Sequence, residues 1–271
     1  MCMQLSPSHE IIKVSKSSPS AGFKVDVSDA RALSLLLEKT RPDAIINAVK
    51  PAFGADKMET EKAVSYALNT TLPQQLAEYS KASGCKLVHI STDWVYEGKE
   101  GELYAELSPT YPQNYYSYTK ALAEEKVLAA APNSLILRPE GIFGIDERGS
   151  NPLMRIMACA KEHKPFPVSS DQFAQPICAA ELARIAQLLL EKNSSGIYNA
   201  TGPDYLSRRD FASLLCKKFG LDVQLEDSPA SARKMRIPLC LKVSIEKLEG
   251  EIGKVQPLLR QLESIKEKVN A

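Results

Sequence analysis

Between residues 9 and 139, short apolar runs alternate with longer stretches of helical period, and this order constrains the fold more than any other feature of the chain. "HEIIKVS" (9–15) and "GFKVDVSD" (22–29) read as short extended pieces, with Ser28 or Asp29 placed to cap the helix "ARALSLLLEK". "PDAIINAV" (42–49) and "CKLVHIS" (85–91) are continuous apolar runs, the pattern of strands covered on both faces. Between them, residues 58–83 are helical by period, with Pro73 a kink or a fresh start. "YSYTKALAEEKVLAAA" (116–131) predicts a helix and "NSLILRP" (133–139) a strand. Such alternation needs crossover connections, so the chain is expected to be α/β, built on a Rossmann-type doubly wound parallel sheet.

After residue 145 the pattern loosens into a smaller mixed α/β region, expected on the substrate side. Residues 151–164 and 179–193 look helical, and "GIYNATG" (196–202) looks like a strand and turn. "SRRDFASLLCKKFG" (207–220) opens on a serine cap and closes on a glycine. The amphipathic tail 244–269 contains Pro257, which favours a helix or helix pair packed on its own domain over a coiled-coil seam. The expected division is a nucleotide-binding domain over 1–145, with 179–202 returning to it, and a substrate-binding region formed by 146–178 and 203–271.

A net charge of +1 gives no electrostatic case for nucleic acid or a membrane surface. The six cysteines are scattered without a Cys-x-x-Cys pair, and no apolar run is long enough for a bilayer. A reduced, cytoplasmic protein is expected. His9, His89 and His163 lie too far apart for a metal site, and His89, inside an apolar strand, is read as a satisfied buried imidazole.

Chemistry concentrates in "YYSYTKALAEEK" (115–126). Tyr116 and Lys120 are four apart and share a helix face, whereas Tyr115 and Tyr118 do not stand in that relation to Lys120. An ammonium at Lys120 is expected to lower the phenol pKa of Tyr116, making the phenol a proton donor to a carbonyl oxygen under reduction. Thr92 follows the strand "LVHIS", at the carboxyl edge where open parallel sheets collect ligands, and its hydroxyl can reach the same oxygen.

"HISTDWVYEG", "YYSYTKALAEEK", "LRPEGIFG" and "GIYNATG", in this order, resemble the extended short-chain dehydrogenase/reductases, and most of all their dTDP-4-dehydrorhamnose reductase branch. "DQFAQPICAAELA" (171–183) is similar to the same branch, and the likeness runs from about residue 9 to about 250. The resemblance implies a reductase of a nucleotide-linked 4-keto sugar, with Thr92, Tyr116 and Lys120 at the catalytic positions. It places Asp26 and Val27 at the adenine, Asn47, Ala48 and Val49 on the loop beside the cofactor, and Pro139 near the nicotinamide, with Tyr116 and Lys120 also touching cofactor. It implies a nucleotide-sugar substrate contacted by Thr92, Trp94 and Gly141, and a homodimer, since relatives of this branch are often dimeric. NADP is expected over NAD, because "SKSS" after the first strand offers Lys16 and no acid to meet the ribose 2′ position.

The chain departs from the family in one large respect. The glycine-rich turn that lets a backbone approach the pyrophosphate is missing: none of the 13 glycines precedes Gly22. In the family's strand order the first strand is central. Without it, "HEIIKV" and "KVDV" are expected to lose an inner neighbour, and each buried backbone group left unpaired costs ~1–3 kcal/mol. Three outcomes remain: a start upstream of Met1, which is preferred; the two strands sliding in to pair with "AIINAV"; or a loosely held N-terminal segment. The gap keeps open a chain with impaired cofactor binding. It also keeps open a non-catalytic subunit on the same fold, like the regulatory beta subunit of methionine adenosyltransferase.

Smaller departures lie in the substrate wall. Gly141 stands where rhamnose-forming relatives carry a tryptophan, and Trp94 where a tyrosine is usual, so the sugar is expected to differ. Glu124 and Glu125 are read as a solvated helix face and Arg208 and Arg209 as surface charge, while Arg233 and Arg236 are candidates near substrate.

Overall fold

The structure is a computed structural model that describes residues 9–146 and 149–270, the side chains of 268–270 excepted. Its centre is a four-stranded parallel sheet in the order β3 (Ala44–Asn47), β4 (Lys86–Ile90), β5 (Leu135–Arg138), β8 (Gly196–Asn199). The helices α1 (Ala30–Thr40), α2 (Leu72–Ser83), α3 (Tyr115–Ala130) and α5 (Ala179–Glu191) alternate with these strands along the chain. One face of the sheet packs Leu87 and Ile136 against Leu33, Leu37, Leu76 and Val127 of α1, α2 and α3. The other packs Val88, Ile90, Leu135 and Leu137 against Leu182, Ile185 and Leu189 of α5. Burial on both faces is why these strands read as unbroken apolar runs.

The two N-terminal strands are shorter than their sequence pattern predicts. β1 (Val14–Ser15) and β2 (Phe23–Lys24) pair in parallel as a separate two-stranded sheet. They do not slide in beside β3, so that alternative is not what the chain adopts. Helix starts follow local chemistry: the Asp29 carboxylate accepts the N–H groups of Arg31 and Ala32, and Asn151 caps the helix α4 (Pro152–Glu162). The long helix expected over 58–83 is divided. Short turns at Ala55–Met58 and Lys62–Tyr66 lead into a π-helical turn at Ala67–Thr71, and only then does α2 begin, with Pro73 in its first turn. Pro73 has no N–H to donate there, so the widened turn meets it without losing a hydrogen bond.

A second core covers one end of the sheet. Phe143, Leu153, Ile156, Phe166 and Val168 gather around Phe211, Ala212 and Leu215 of α6 (Arg208–Phe219). β6 (Phe166–Val168) pairs in parallel with β10 (Leu225–Asp227), and β7 (Phe173–Ala174) antiparallel with β9 (Leu206–Ser207). The tail is a helix pair, α7 (Glu246–Ile252) and α8 (Leu258–Asn270). Leu248 of α7 packs on the sheet core, whereas Leu258, Leu262 and Ile265 of α8 join the second core. No helix among the described residues is long and apolar enough to cross a membrane.

Candidate active site

The site is built at the carboxyl ends of β4 and β5, where the chain leaves the sheet. After β4, the Ser91 N–H donates to Leu137 O (2.7 Å) and the Asp93 N–H to Pro139 O (3.2 Å), tying the two strand ends together. Thr92 is buried, and its Oγ1 accepts the Trp94 N–H (3.3 Å), capping the tight turn Asp93–Val95. That contact fixes the hydroxyl at the lip of the sheet.

The Tyr116 side is set by the start of α3. Asn114 and Ser117 form a reciprocal capping box: Asn114 Oδ1 accepts the Ser117 N–H (2.9 Å), and Ser117 Oγ accepts the Asn114 N–H (3.3 Å). Asn114 Nδ2 also donates to Arg236 O (2.9 Å), anchoring the helix end to the substrate-side chain. Two residues further on, Tyr116 comes close enough to Thr92 for that hydroxyl to act on the phenol. Tyr116 is half-buried, keeping part of its surface accessible. Trp94 meets it edge-on, with ring centroids 5.8 Å apart, and the Arg233 guanidinium lies 5.8 Å over the Trp94 ring while pairing with Asp56 (2.6 Å). The Arg236 side chain is exposed.

Lys120 is one turn along the same helix and is buried, but its Nζ donates to Ile90 O (2.5 Å). This corrects the expected pKa logic. Burial pushes the Tyr116 phenol up to about 12, the nearby Thr92 hydroxyl pulls it partly back, and the negative groups of Asp93 and Glu140 raise it again. The lysine does not lower it, because its ammonium is turned to the β4 carbonyl. Burial lowers Lys120 itself to about 8, with Glu124 opposing. A phenol held this high keeps its proton at neutral pH.

Asn47 ends β3 and is buried; its Nδ2 faces His89 Nδ1 (3.2 Å), and its Oδ1 accepts the Val49 N–H (3.2 Å). The 47–49 loop is thereby shaped by one amide, with Ala48 exposed. His89 is only half satisfied: Nε2 has no partner among the described residues, and burial with Lys120 nearby holds its pKa well below the usual value. Asp26 is paired with Lys16 (2.6 Å), which together with Ser28 brings its carboxyl down to about 2, and Val27 packs on the sheet core. Pro139 is buried behind Thr92.

Two charged groups overturn their sequence readings. Glu124 is not solvated: it is buried, accepts Ser91 Oγ–H, and takes Arg138 Nε (3.0 Å) and Nη2 (2.5 Å) on its two oxygens. Arg208 is not simply surface charge. It pairs with the buried Glu140, and its Nη1 would stand 2.9 Å from a Cβ placed at Gly141, where φ is +48°. Asp93, Glu140 and Arg208 therefore form a charged wall behind the hydroxyl pair. The position of Asp93 and Glu140 directly after two neighbouring parallel strands was the available signal, and the sequence reading did not use it.

The residues fit one end of a dinucleotide. Lys120 is a buried donor with one protein acceptor and two further N–H groups to give, one turn from the partly accessible Tyr116 phenol. They fit a ribose and nicotinamide; no glycine-rich turn exists in the sequence to assign to a pyrophosphate. Among the described residues no group of three or more His, Cys, Asp or Glu could hold a metal ion.

A parallel sheet with a threonine at the end of one strand and Tyr-x-x-x-Lys on the next helix defines the class of the short-chain dehydrogenase/reductases. The profile of one family, described as the RmlD substrate binding domain, matches residues 2–267, and the chain belongs to that family. It is 30% identical to the dTDP-4-dehydrorhamnose reductase of Burkholderia thailandensis over 73% of this chain and 68% of the relative. It is 28% identical to the enzyme of that name from Aggregatibacter actinomycetemcomitans, over 76% of this chain and 71% of the relative. Among solved structures, a hypothetical dTDP-4-dehydrorhamnose reductase from Sulfolobus tokodaii superposes with a TM-score of 0.80 at 30% identity, covering 92% of this chain and 88% of that one.

Proposed function

We propose that this chain is an NAD(P)H-dependent reductase of a nucleotide-linked 4-keto sugar, with Thr92, Tyr116 and Lys120 as its catalytic residues. The carrying observation is that Thr92, at the carboxyl edge of the sheet, and Tyr116, in the first turn of α3, are close enough for the threonine hydroxyl to act on the phenol, with Lys120 one turn along the same helix. The names of the relatives supply the substrate class. A reduced nicotinamide, when bound, supplies the hydride. Thr92 orients the ketone oxygen, and Tyr116 gives it a proton as the carbon is reduced. Lys120 holds the ribose, and Asn47, Ala48, Val49 and Pro139 border the nicotinamide. Asp26 and Val27 lie on the adenine side; NADP is kept as the expected cofactor over NAD, with the exposed Lys16 exchanging its pairing with Asp26 (2.6 Å) for the 2′-phosphate. Trp94 and Gly141 border the sugar. The division of labour is 1–145 with 179–202 for the cofactor and 146–178 with 203–271 for the substrate, a reading supported by the separate second core around α6, although Leu248 and Val255 pack on the sheet core.

The test is the Tyr116→Phe variant with NADPH and dTDP-4-dehydrorhamnose. Reduction should fall by ~10²–10⁴-fold while dinucleotide binding is kept. Turnover at the parental rate would refute the assignment of the acid. The intact hydroxyl pair also argues against a purely non-catalytic subunit.

A further inference from the structure

Trp94 touches both Thr92 and Tyr116. Its backbone N–H is accepted by Thr92 Oγ1 (3.3 Å), and its half-buried ring meets the Tyr116 ring edge-on, with centroids 5.8 Å and planes 77° apart. That separation lies in the range where aromatic pairs attract. One residue therefore fixes the hydroxyl and packs the phenol. The ring is itself held from the far part of the chain. The Arg233 guanidinium lies 5.8 Å from its centroid, within cation–π reach, while Nη2 pairs with Asp56 (2.6 Å). Ala55, beside Asp56, packs with Trp94 against the buried Met235 and Ile237 in a small cluster apart from the sheet core. The segment bearing Arg233 is pinned on both sides. The Ala230 N–H donates to the two oxygens of Asp171 (2.9 and 3.1 Å). Arg236 O accepts Asn114 Nδ2 (2.9 Å), Leu239 O accepts the Phe173 N–H (2.6 Å), and the Cys240 N–H donates to Gly98 O (3.0 Å). The guanidinium is thus kept over the ring by its anchored backbone as well as by Asp56.

We infer that Arg233 is a positioning residue: anchored by Asp56, it clamps the Trp94 ring, and that ring sets the angle at which the Tyr116 phenol meets the ketone. This role rests on Tyr116 being the acid. Arg233 acts through Trp94 rather than by touching substrate. Its side chain is 35% exposed and that of Asp56 45%, so the ion pair by itself contributes little to stability. Its weight falls on geometry, where a displacement of ~1 Å at the reacting atoms costs ~10²-fold in rate. The clamp also joins the two parts of the chain. Asp56 and Trp94 follow strands of the central sheet, whereas Arg233 belongs to the substrate-side segment, so that segment helps to set the acid on the sheet side.

Trp94 is the chain's one tryptophan, so the intrinsic fluorescence of the ligand-free protein reads this ring alone. Arg233→Ala should shift the emission to the red and open the ring to acrylamide quenching. With saturating NADPH and dTDP-4-dehydrorhamnose its kcat should fall by about ten-fold, while KM for the sugar changes by less than about two-fold. Arg233→Lys keeps a cation over the ring and should recover most of both signals. Asp56→Asn alters only an exposed side chain, and it carries the test should Arg233→Ala fold poorly. Freeing the guanidinium there should give the same red shift and a loss in kcat of about three-fold. A parental kcat in both variants, or an unshifted emission in both, would overturn the role. So would a loss carried by KM alone, which marks Arg233 as a direct substrate contact. Tyr116→Phe separates the two readings. Parental turnover there removes the acid and the clamp's purpose together, whereas lost turnover there with a parental kcat in Arg233→Ala removes the clamp alone.

Discussion

Glu124 of α3 and Arg138 of β5 meet as a bidentate ion pair whose side chains are 4% and 3% exposed. Around it, Ser91 Oγ donates to Glu124, and Arg138 Nη1 donates to the Tyr96 hydroxyl (2.6 Å), which lies 2.9 Å from Asn199 Oδ1. One network thus joins α3, β5, β8 and the turn after β4, just beneath the site. Removing one partner strands the other charge in the interior at a cost of ~3–5 kcal/mol. Glu124→Gln and Arg138→Met should each lower the unfolding free energy measured in urea by that much. The double change Glu124→Met with Arg138→Met should cost clearly less than the sum, since no charge is left unpaired.

Gly141 sits in the left-handed region with the Arg208 guanidinium over it. Gly141→Ala should cost ~1–2 kcal/mol from the backbone alone, plus whatever is lost as Nη1 is driven from Glu140. Gly84→Ala supplies the comparison, because φ there is +77° with open space where the Cβ would go. The excess loss at position 141 measures the Arg208–Glu140 contact. An equal loss at both positions would show that Arg208 moves aside freely.

The helix carrying Tyr116 depends on Asn114 for its first turn. Asn114→Ala should destabilise by ~1–2 kcal/mol and lower kcat more than it raises KM, since the phenol loses its fixed entry angle. Asn114→Asp keeps the cap oxygen but loses the donor to Arg236 O, and should fall between Ala and the parent on both measures.

Local patterns carried most of what the sequence revealed. The caps at Asp29 and Ser207 and the glycine stop at Gly220 each depend on residues within one turn, as does the spacing of Tyr116 and Lys120. The charged pairs were illegible because their members lie 14 and 68 residues apart with no local signature. α3 misled for a related reason. It is covered on more than one side, with Lys120, Glu124 and Val127 all buried, so its charged residues mimic a solvated face. β1 and β2 shortened because pairing, which sequence pattern alone does not supply, decides how far an extended segment becomes a strand. The sign of the Tyr116 shift was missed because the helical register says which side Lys120 is on but not that Ile90 O takes its ammonium.

That ammonium makes the last prediction one of sign. Lys120 drops from an ordinary value of 10.5 to about 8 in the folded protein, first of all because it is buried. Between about pH 8 and 10.5 the unfolded chain therefore binds a proton that the folded chain does not, so stability must rise with pH across that window. The penalty is fully present below pH 8, and on ~1.4 kcal/mol per pKa unit the whole rise is about 3 kcal/mol. Urea unfolding at pH 7.5 and 10 should show a gain of that order in the parent, and Lys120→Met should flatten it. Dinucleotide affinity should move the opposite way. With one N–H given to Ile90 O, the charged form has two donors left for the ribose and the neutral amine only one, so NADPH binding followed by fluorescence should weaken several-fold from pH 7 to 9 in the parent and be weak but pH-independent in Lys120→Met. Stability and affinity changing in the same direction with pH would mean that some other group titrates there.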